Sequence, residues 1–226
     1  MSVSNTRRRR RLVPIALISG VAATALLSLS MTGVLAGFSA TLINPSNTAS
    51  SATLLLSETM PTQVACYSTA AATTITTNSN TNCLINNFAS TGSTVMTPGV
   101  KLTSSVTIKN DGSGNASGLT LTPGACVTTF GTPRGAASDV CAKMLVTIQE
   151  QGQTKCVFPV SATAVCATTP TSTGTLGNIG TTALASTAMG SAATKIFDIT
   201  LMLDSTADNS YQGLIATQPL TWTLVQ

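Results

Sequence analysis

The chain has 226 residues, 8% of them charged, and a formal net charge of +4. The positive charge is local: Arg7–Arg11 carry much of it, and beyond residue 36 the balance is five lysines and Arg134 against seven acidic residues. That excludes the basic surface that nucleic acid or an anionic membrane recognises. The absence of histidine excludes a His-based triad, a His-ligated catalytic zinc and the H-E-x-x-H helix.

Arg7–Arg11 precede the apolar run Leu12–Ala36, and no charged residue follows until Glu58. Arginines hold the cytoplasmic end while the run enters the bilayer as a helix. Val34-Leu35-Ala36 places small or modest side chains at the −3 and −1 positions of a signal-peptidase site. Residues 1–36 therefore read as a signal peptide, cleaved between Ala36 and Gly37, with signal peptidase as the partner during export. The alternative is an uncleaved anchor, since Leu12–Leu35 is long enough to span a bilayer. Pro14, Gly20 and Gly33 weaken it in that role. Membrane contact is expected only through this segment before cleavage, and residues 37–226 are expected to form one domain.

The mature chain then opens on Gly37, and Phe38–Ile43 alternates with period two. Phe38, Ala40 and Leu42 face one way, Ser39, Thr41 and Ile43 the other. Asn44-Pro45-Ser46-Asn47 punctuates it as a turn, and Ala52–Ser57 reads as a second strand. Met60–Pro98 is rich in Thr, Ala, Asn and Ser and reads as loops, with an edge strand at most. Val100–Lys109 is a strand with Val100, Leu102, Val106 and Ile108 on one face. The turn Asn110-Asp111-Gly112-Ser113-Gly114 follows, then a strand from Leu119 toward Cys126.

Ser138–Lys143 is expected to make a helical turn capped by Ser138. Lys143–Glu150 and Cys156–Val160 read as strands, and residues 166–194 as surface loops with weak strand character at Ala183–Leu184. Ile196–Leu203 turns Phe197, Ile199, Leu201 and Leu203 inward. Pro219–Gln226 does the same with Leu220, Trp222 and Leu224, which places Trp222 in the core rather than on a ligand platform. Short strands, little helix and frequent turn signals imply an all-β fold, an antiparallel β-sandwich with long Thr/Ser/Ala-rich loops.

Six cysteines, Cys66, Cys83, Cys126, Cys141, Cys156 and Cys166, all lie in the exported part. An even number in an oxidising compartment reads as a disulfide framework. Sequence alone leaves every pairing open. The favoured set joins nearest neighbours, 66–83, 126–141 and 156–166, because each pair flanks a turn-rich segment. No close Cys-x-x-Cys spacing offers a zinc site.

No catalytic residue, metal site or cofactor is assigned. Asp204 and Asp208 could line a calcium site with Asn209, but two carboxylates in a polar loop read better as a solvated hairpin connection. Gly112-Ser113-Gly114 lacks the strand–helix context of a phosphate loop. Asn115-Ala116-Ser117 matches a glycosylation acceptor without further support. A surface this poor in charge, against about 25% in a typical soluble domain, favours association over dispersal.

Ala36-Gly37-Phe38-Ser39-Ala40, then Asn47-Thr48-Ala49-Ser50 and Leu54–Leu56, resemble the start of secreted proteins of the TasA/camelysin family, processed by a SipW-type signal peptidase. Val106-Thr107-Ile108-Lys109-Asn110-Asp111-Gly112 resembles the family's strand-then-turn. Asp208-Asn209-Ser210-Tyr211-Gln212-Gly213, Leu220-Thr221-Trp222 and Gln226 resemble its C-terminal signature. The resemblance touches both ends and the middle, in order, through short motifs. Cysteines are not part of the pattern in the best-known members.

The resemblance implies a jelly-roll-like sandwich, bacterial and extracellular or surface-associated. It also implies assembly into biofilm-matrix fibres in which the N-terminal strand of one subunit completes the sheet of the next. Here that strand is Gly37, Phe38, Ser39, Ala40, Thr41, Leu42 and Ile43, with residues 44–51 as its linker. The rival reading pairs Gly37–Ile43 within its own sandwich. Two other functions compete: a monomeric surface adhesion or binding module, and a camelysin-like metallopeptidase, whose metal site nothing here matches.

Overall fold

A computed structural model describes residues 50–69, 75, 78–89, 95–161, 165–180, 184–185 and 188–226. The signal segment, the cleavage site and Gly37–Ile43 lie outside the described residues. Ser51–Gln226 forms one compact unit. Its strands are β1 (Leu56–Thr59), β2 (Cys66–Tyr67), β3 (Lys101–Asn110), β4 (Gly118–Pro123), β5 (Val127–Phe130), β6 (Met144–Glu150), β7 (Cys156–Phe158), β8 (Leu184–Ala185), β9 (Thr194–Leu203), β10 (Leu214–Thr217) and β11 (Leu220–Val225). A single-turn helix, α1 (Val140–Lys143), leads into β6, and a 3-10 turn spans Asn209–Tyr211.

The protein is all-β and its pairings are antiparallel. A six-stranded sheet runs β2-β1-β3-β9-β6-β7; a second layer holds β11-β4-β8 and the pair β10-β5. The layers share one core. Val106 and Ile108 of β3, Phe197 and Ile199 of β9 and Val146 and Ile148 of β6 meet Leu119 and Leu121 of β4 and Trp222 of β11, all buried. The Phe197 and Trp222 rings bridge the sheets with centroids 4.7 Å apart. That tilted contact is favoured beyond simple area burial.

The second layer is one ribbon with a break. Pro123 and Pro219 lie where β4–β11 gives way to β5–β10, and a proline cannot donate to the ladder. Gly124 N donates to Pro219 O at 2.7 Å and Gln218 Nε2 donates to Gly124 O at 2.9 Å, which fixes the bend.

Several expectations are corrected. The segment from Ala52 to Leu55 is not strand; β1 starts at Leu56. Thr53 and Leu55 instead run against the Asn110–Gly114 turn, accepting from Gly114 N (2.8 Å) and Asp111 N (2.7 Å). Gly112 is required there, because a Cβ would stand 2.2 Å from Thr53 O. The helical turn starts after Asp139, not Ser138, and has no side-chain cap. The Asp139 carboxylate accepts from Tyr211 Oη at 2.8 Å instead.

Residues 166–194 do more than loop over the surface. Leu176, Ile179 and Met189 enter the core, and residues 174–176 extend the sheet beside β6 through Val146 N to Gly174 O (2.8 Å) and Leu176 N to Met144 O (2.9 Å). β5 and β10 were not anticipated, and Val100 is exposed rather than inward.

Candidate functional site

Among the described residues, β11 pairs on one side only, with β4. Between β11 and the β1–β2 end of the larger sheet lies a cavity of about 990 Å³. Its walls include Leu54, Leu56, Ile85, Phe88, Leu220 and Leu224, half-buried side chains packed against the core.

Strand periodicity puts them there. Leu56 pairs with Asn110 and Glu58 with Ile108, so both point to the face that buries Ile108. Across the gap, Leu220, Trp222 and Leu224 alternate inward along β11. The third wall, from the 78–88 segment, is held by the Cys66–Cys83 disulfide (Cα–Cα 5.7 Å). Asn78 Nδ2 donates to Leu54 O at 2.7 Å and Asn80 Nδ2 to Tyr67 O at 2.8 Å. Gln63 donates to Asn86 O and Ala89 O and accepts from Asn86 N at 2.7 Å.

The lining is mixed: besides Ser, Thr and Asn side chains such as Ser68, Asn78, Thr81 and Thr221, it includes Glu58, Asn87, Gln218 and Trp222. Glu58 Oε1, Asn87 Oδ1, Gln218 Oε1 and Trp222 Nε1 are buried and make no well-formed hydrogen bond, although the Asn87 side chain and the Trp222 indole lie within hydrogen-bonding reach of the Glu58 carboxyl. Asn87, Gln218 and Trp222 are each less than one-tenth exposed. Burial raises the Glu58 carboxyl above its ordinary value, opposed by the nearby Asn87 side chain and Trp222 indole, which favour the ionised form.

The sign of the pH effect follows. From the ordinary carboxylate value up to the raised one, the folded chain keeps a proton that the unfolded chain has lost. Stability therefore falls as pH rises through that window. Glu58→Gln is expected to flatten this limb and to raise stability at pH 7 by about 1 kcal/mol, roughly 2–4 °C in Tm. Thermal melts from pH 4 to 8 check it; an unchanged neutral Tm would count against a costly buried charge.

The six cysteines form Cys66–Cys83, Cys126–Cys141 and Cys156–Cys166, with Cα–Cα separations of 5.7, 6.1 and 4.6 Å. Such bridges are compatible with an extracellular protein. Only the first borders the cavity. Asp204 accepts from Thr206 N and Oγ1 and pairs with Lys143, while Asp208 accepts from Ser210 N and Oγ. These contacts lower both carboxyls below their ordinary value, and each aspartate closes its own local turn. Asn115 is exposed, with Oδ1 accepting from Ser191 N at 2.9 Å.

Among the described residues no three His, Cys, Asp or Glu side chains stand together as metal ligands, and no helix is long and apolar enough to cross a membrane. Ala36 and Gly37–Ile43 lie outside the described residues. Reasoning from the sequence missed Glu58, Asn87 and Gln218. Glu58 did carry a signal: it continues the Leu54–Leu56 period, and so shares their face. Compared with protein-family models and with curated proteins, the chain matches none.

Proposed function

We propose that the chain is a secreted structural protein, the subunit of an extracellular or cell-surface fibre of the kind its TasA/camelysin resemblance implies. Polymerisation proceeds by strand donation: Gly37–Ile43 of one copy adds along β11 of the next and fills the groove beside it. The observation that carries this reading is the β11 edge, paired on one side among the described residues and bordered by a cavity whose walls mix apolar and polar side chains. An open edge is a template for an added strand, because main-chain hydrogen bonds need no particular partner sequence. One face of that strand, Phe38, Ala40 and Leu42, suits the leucine, isoleucine and phenylalanine side chains of the lining, and the other, Ser39 and Thr41, its polar ones.

The jelly-roll winding and the export step belong to the same proposal, and no enzymatic role is included. A monomeric surface module is the second reading, favoured by Val127, Phe130 and Ile215, which leave β5 and β10 with exposed apolar side chains.

Peptide complementation tests the donation step. The free peptide Gly37–Ile43, added in excess to a chain beginning at Asn44, is expected to bind and raise its Tm by several degrees, as a ligand of the folded state does. An unchanged melt at saturating peptide would leave the monomeric module as the better reading.

A further inference from the structure

Beyond Phe130 the ribbon of β5 and β10 continues as two loops bonded to each other. Gly131 N donates to Gly213 O and Gly135 N to Gln212 O, each at 2.7 Å, and Ala137 N donates to Ser210 O at 3.0 Å. The approach is close: a Cβ on Gly135 would stand 2.0 Å from Ser210 O. The Tyr211 hydroxyl, donating to Asp139 at 2.8 Å, ties the far ends together. Asp208 caps the second loop, accepting from Ser210 N and Oγ. Arg134, Asp139 and Asp208, all exposed, thus ride on one braced piece of surface.

The charges on this piece differ in their partners. Asp204 has Lys143 at 3.5 Å. Arg134 is the one arginine beyond residue 36, and among the described residues it pairs with no carboxylate. Its Cζ lies 3.9 Å from the centroid of the Phe130 ring, which is 49% exposed. An arginine laid on an aromatic face is held in place and still offers a fork of N–H donors that fits a carboxylate. Asp139 and Asp208 accept from hydroxyl and amide donors and form no ion pair among the described residues. The bond to Asp139 raises the Tyr211 hydroxyl above its ordinary value, and burial and the charges of Asp139, Asp208 and Asp204 add to it, so these carboxylates are its close neighbours.

We infer that this surface binds a second copy of the chain across a two-fold axis, with Arg134 of each copy meeting the Asp139 and Asp208 side of the other. A two-fold contact is isologous: residue i meets j, and j meets i. A patch with an unpaired cation beside unpaired carboxylates is complementary to itself once turned about such an axis. A partner of one sign would leave half of it unmatched. Arginine, tyrosine and an exposed aromatic ring are also the side chains that dominate interface energetics. A surface poor in charge elsewhere does little to hold the copies apart. The contact does not rest on strand donation. Where both operate, the head-to-tail strand contact lengthens a filament and the two-fold contact joins one filament to another.

Sedimentation velocity of the chain beginning at Asn44, which lacks the donor strand, tests the contact, with melts confirming that each variant is folded. The parent is expected to dimerise with a Kd on the order of 10–100 µM, as a small interface does, and to weaken several-fold in about 0.5 M salt. Arg134→Glu is expected to raise the Kd at least about tenfold through like-charge contacts, and so, separately, is Asp139→Lys combined with Asp208→Lys. Mixed one to one, the two variants are expected to recover the parental Kd, because each contact between unlike chains again joins opposite charges. A parent that stays monomeric at about 1 mM would overturn the inference; binding of polyglutamate that is lost in Arg134→Glu would then assign Arg134 to an acidic partner. Dimers untouched by either variant, or weakened variants that fail to rescue each other, would overturn it equally.

Discussion

Reducing the three disulfides is expected to bring the protein to the edge of unfolding at 37 °C. The bridges span separations of 17, 15 and 10 residues, and closing loops of this size stabilises by about 3 kcal/mol each when unstrained. A single domain has roughly 5–15 kcal/mol in total, so losing all three removes most of it. Each bridge also holds an element that the core holds weakly. Cys66–Cys83 ties the two-residue β2 to the 78–88 wall of the groove, Cys126–Cys141 ties the start of β5 to α1, and Cys156–Cys166 tethers the three-residue β7. Urea denaturation before and after reduction, with alkylation confirming six free thiols, measures the effect. A midpoint that hardly moved after complete reduction would mean that the sandwich core carries the stability unaided.

Asn110→Ala is expected to cost about 3 kcal/mol or more. Asn110 is fully buried at the end of β3. Its Nδ2 donates to Gly114 O at 2.8 Å and Gly190 O at 3.1 Å, and its Oδ1 accepts from Gly112 N at 3.0 Å. The backbone N donates to Ala193 O at 3.0 Å. One side chain thus closes the 110–114 turn and binds it to a segment some eighty residues later. Alanine strands these buried backbone groups and leaves a void. Asn110→Asp, though isosteric, is expected to cost at least as much, because a carboxylate oxygen would face two carbonyls. Equilibrium denaturation of both variants checks this; an alanine variant within 1 kcal/mol of the parent would show that water or a backbone shift replaces the network.

The long strands were legible because their alternation is strong. Phe197, Ile199, Leu201 and Leu203 face inward along β9 as their period requires, and Trp222 is buried opposite them. β5 and β10 escaped notice because Val127–Phe130 and Leu214–Thr217 are four residues each. They exist as the continuation of a ribbon bent at Pro123 and Pro219, which is a tertiary fact. Leu176, Ile179 and Met189 were hidden by a Thr/Gly-rich background whose composition says loop. Their burial depends on residues 174–176 running beside β6, which no local pattern announces.

The groove was legible only in part. Its leucines follow strand period, but Asn87 and Gln218 are set by loop and bend geometry. A lone glutamate among leucines reads as an ordinary polar residue until the register Glu58 to Ile108 turns it inward.

The central claim is that Gly37–Ile43 links one copy to the next. Negative-stain electron microscopy of the purified chain Gly37–Gln226, beside one beginning at Asn44, tests it most directly. Filaments from the first and dispersed particles from the second are the predicted result. Filaments from both, or particles from both with each chain folded, would contradict polymerisation through this strand.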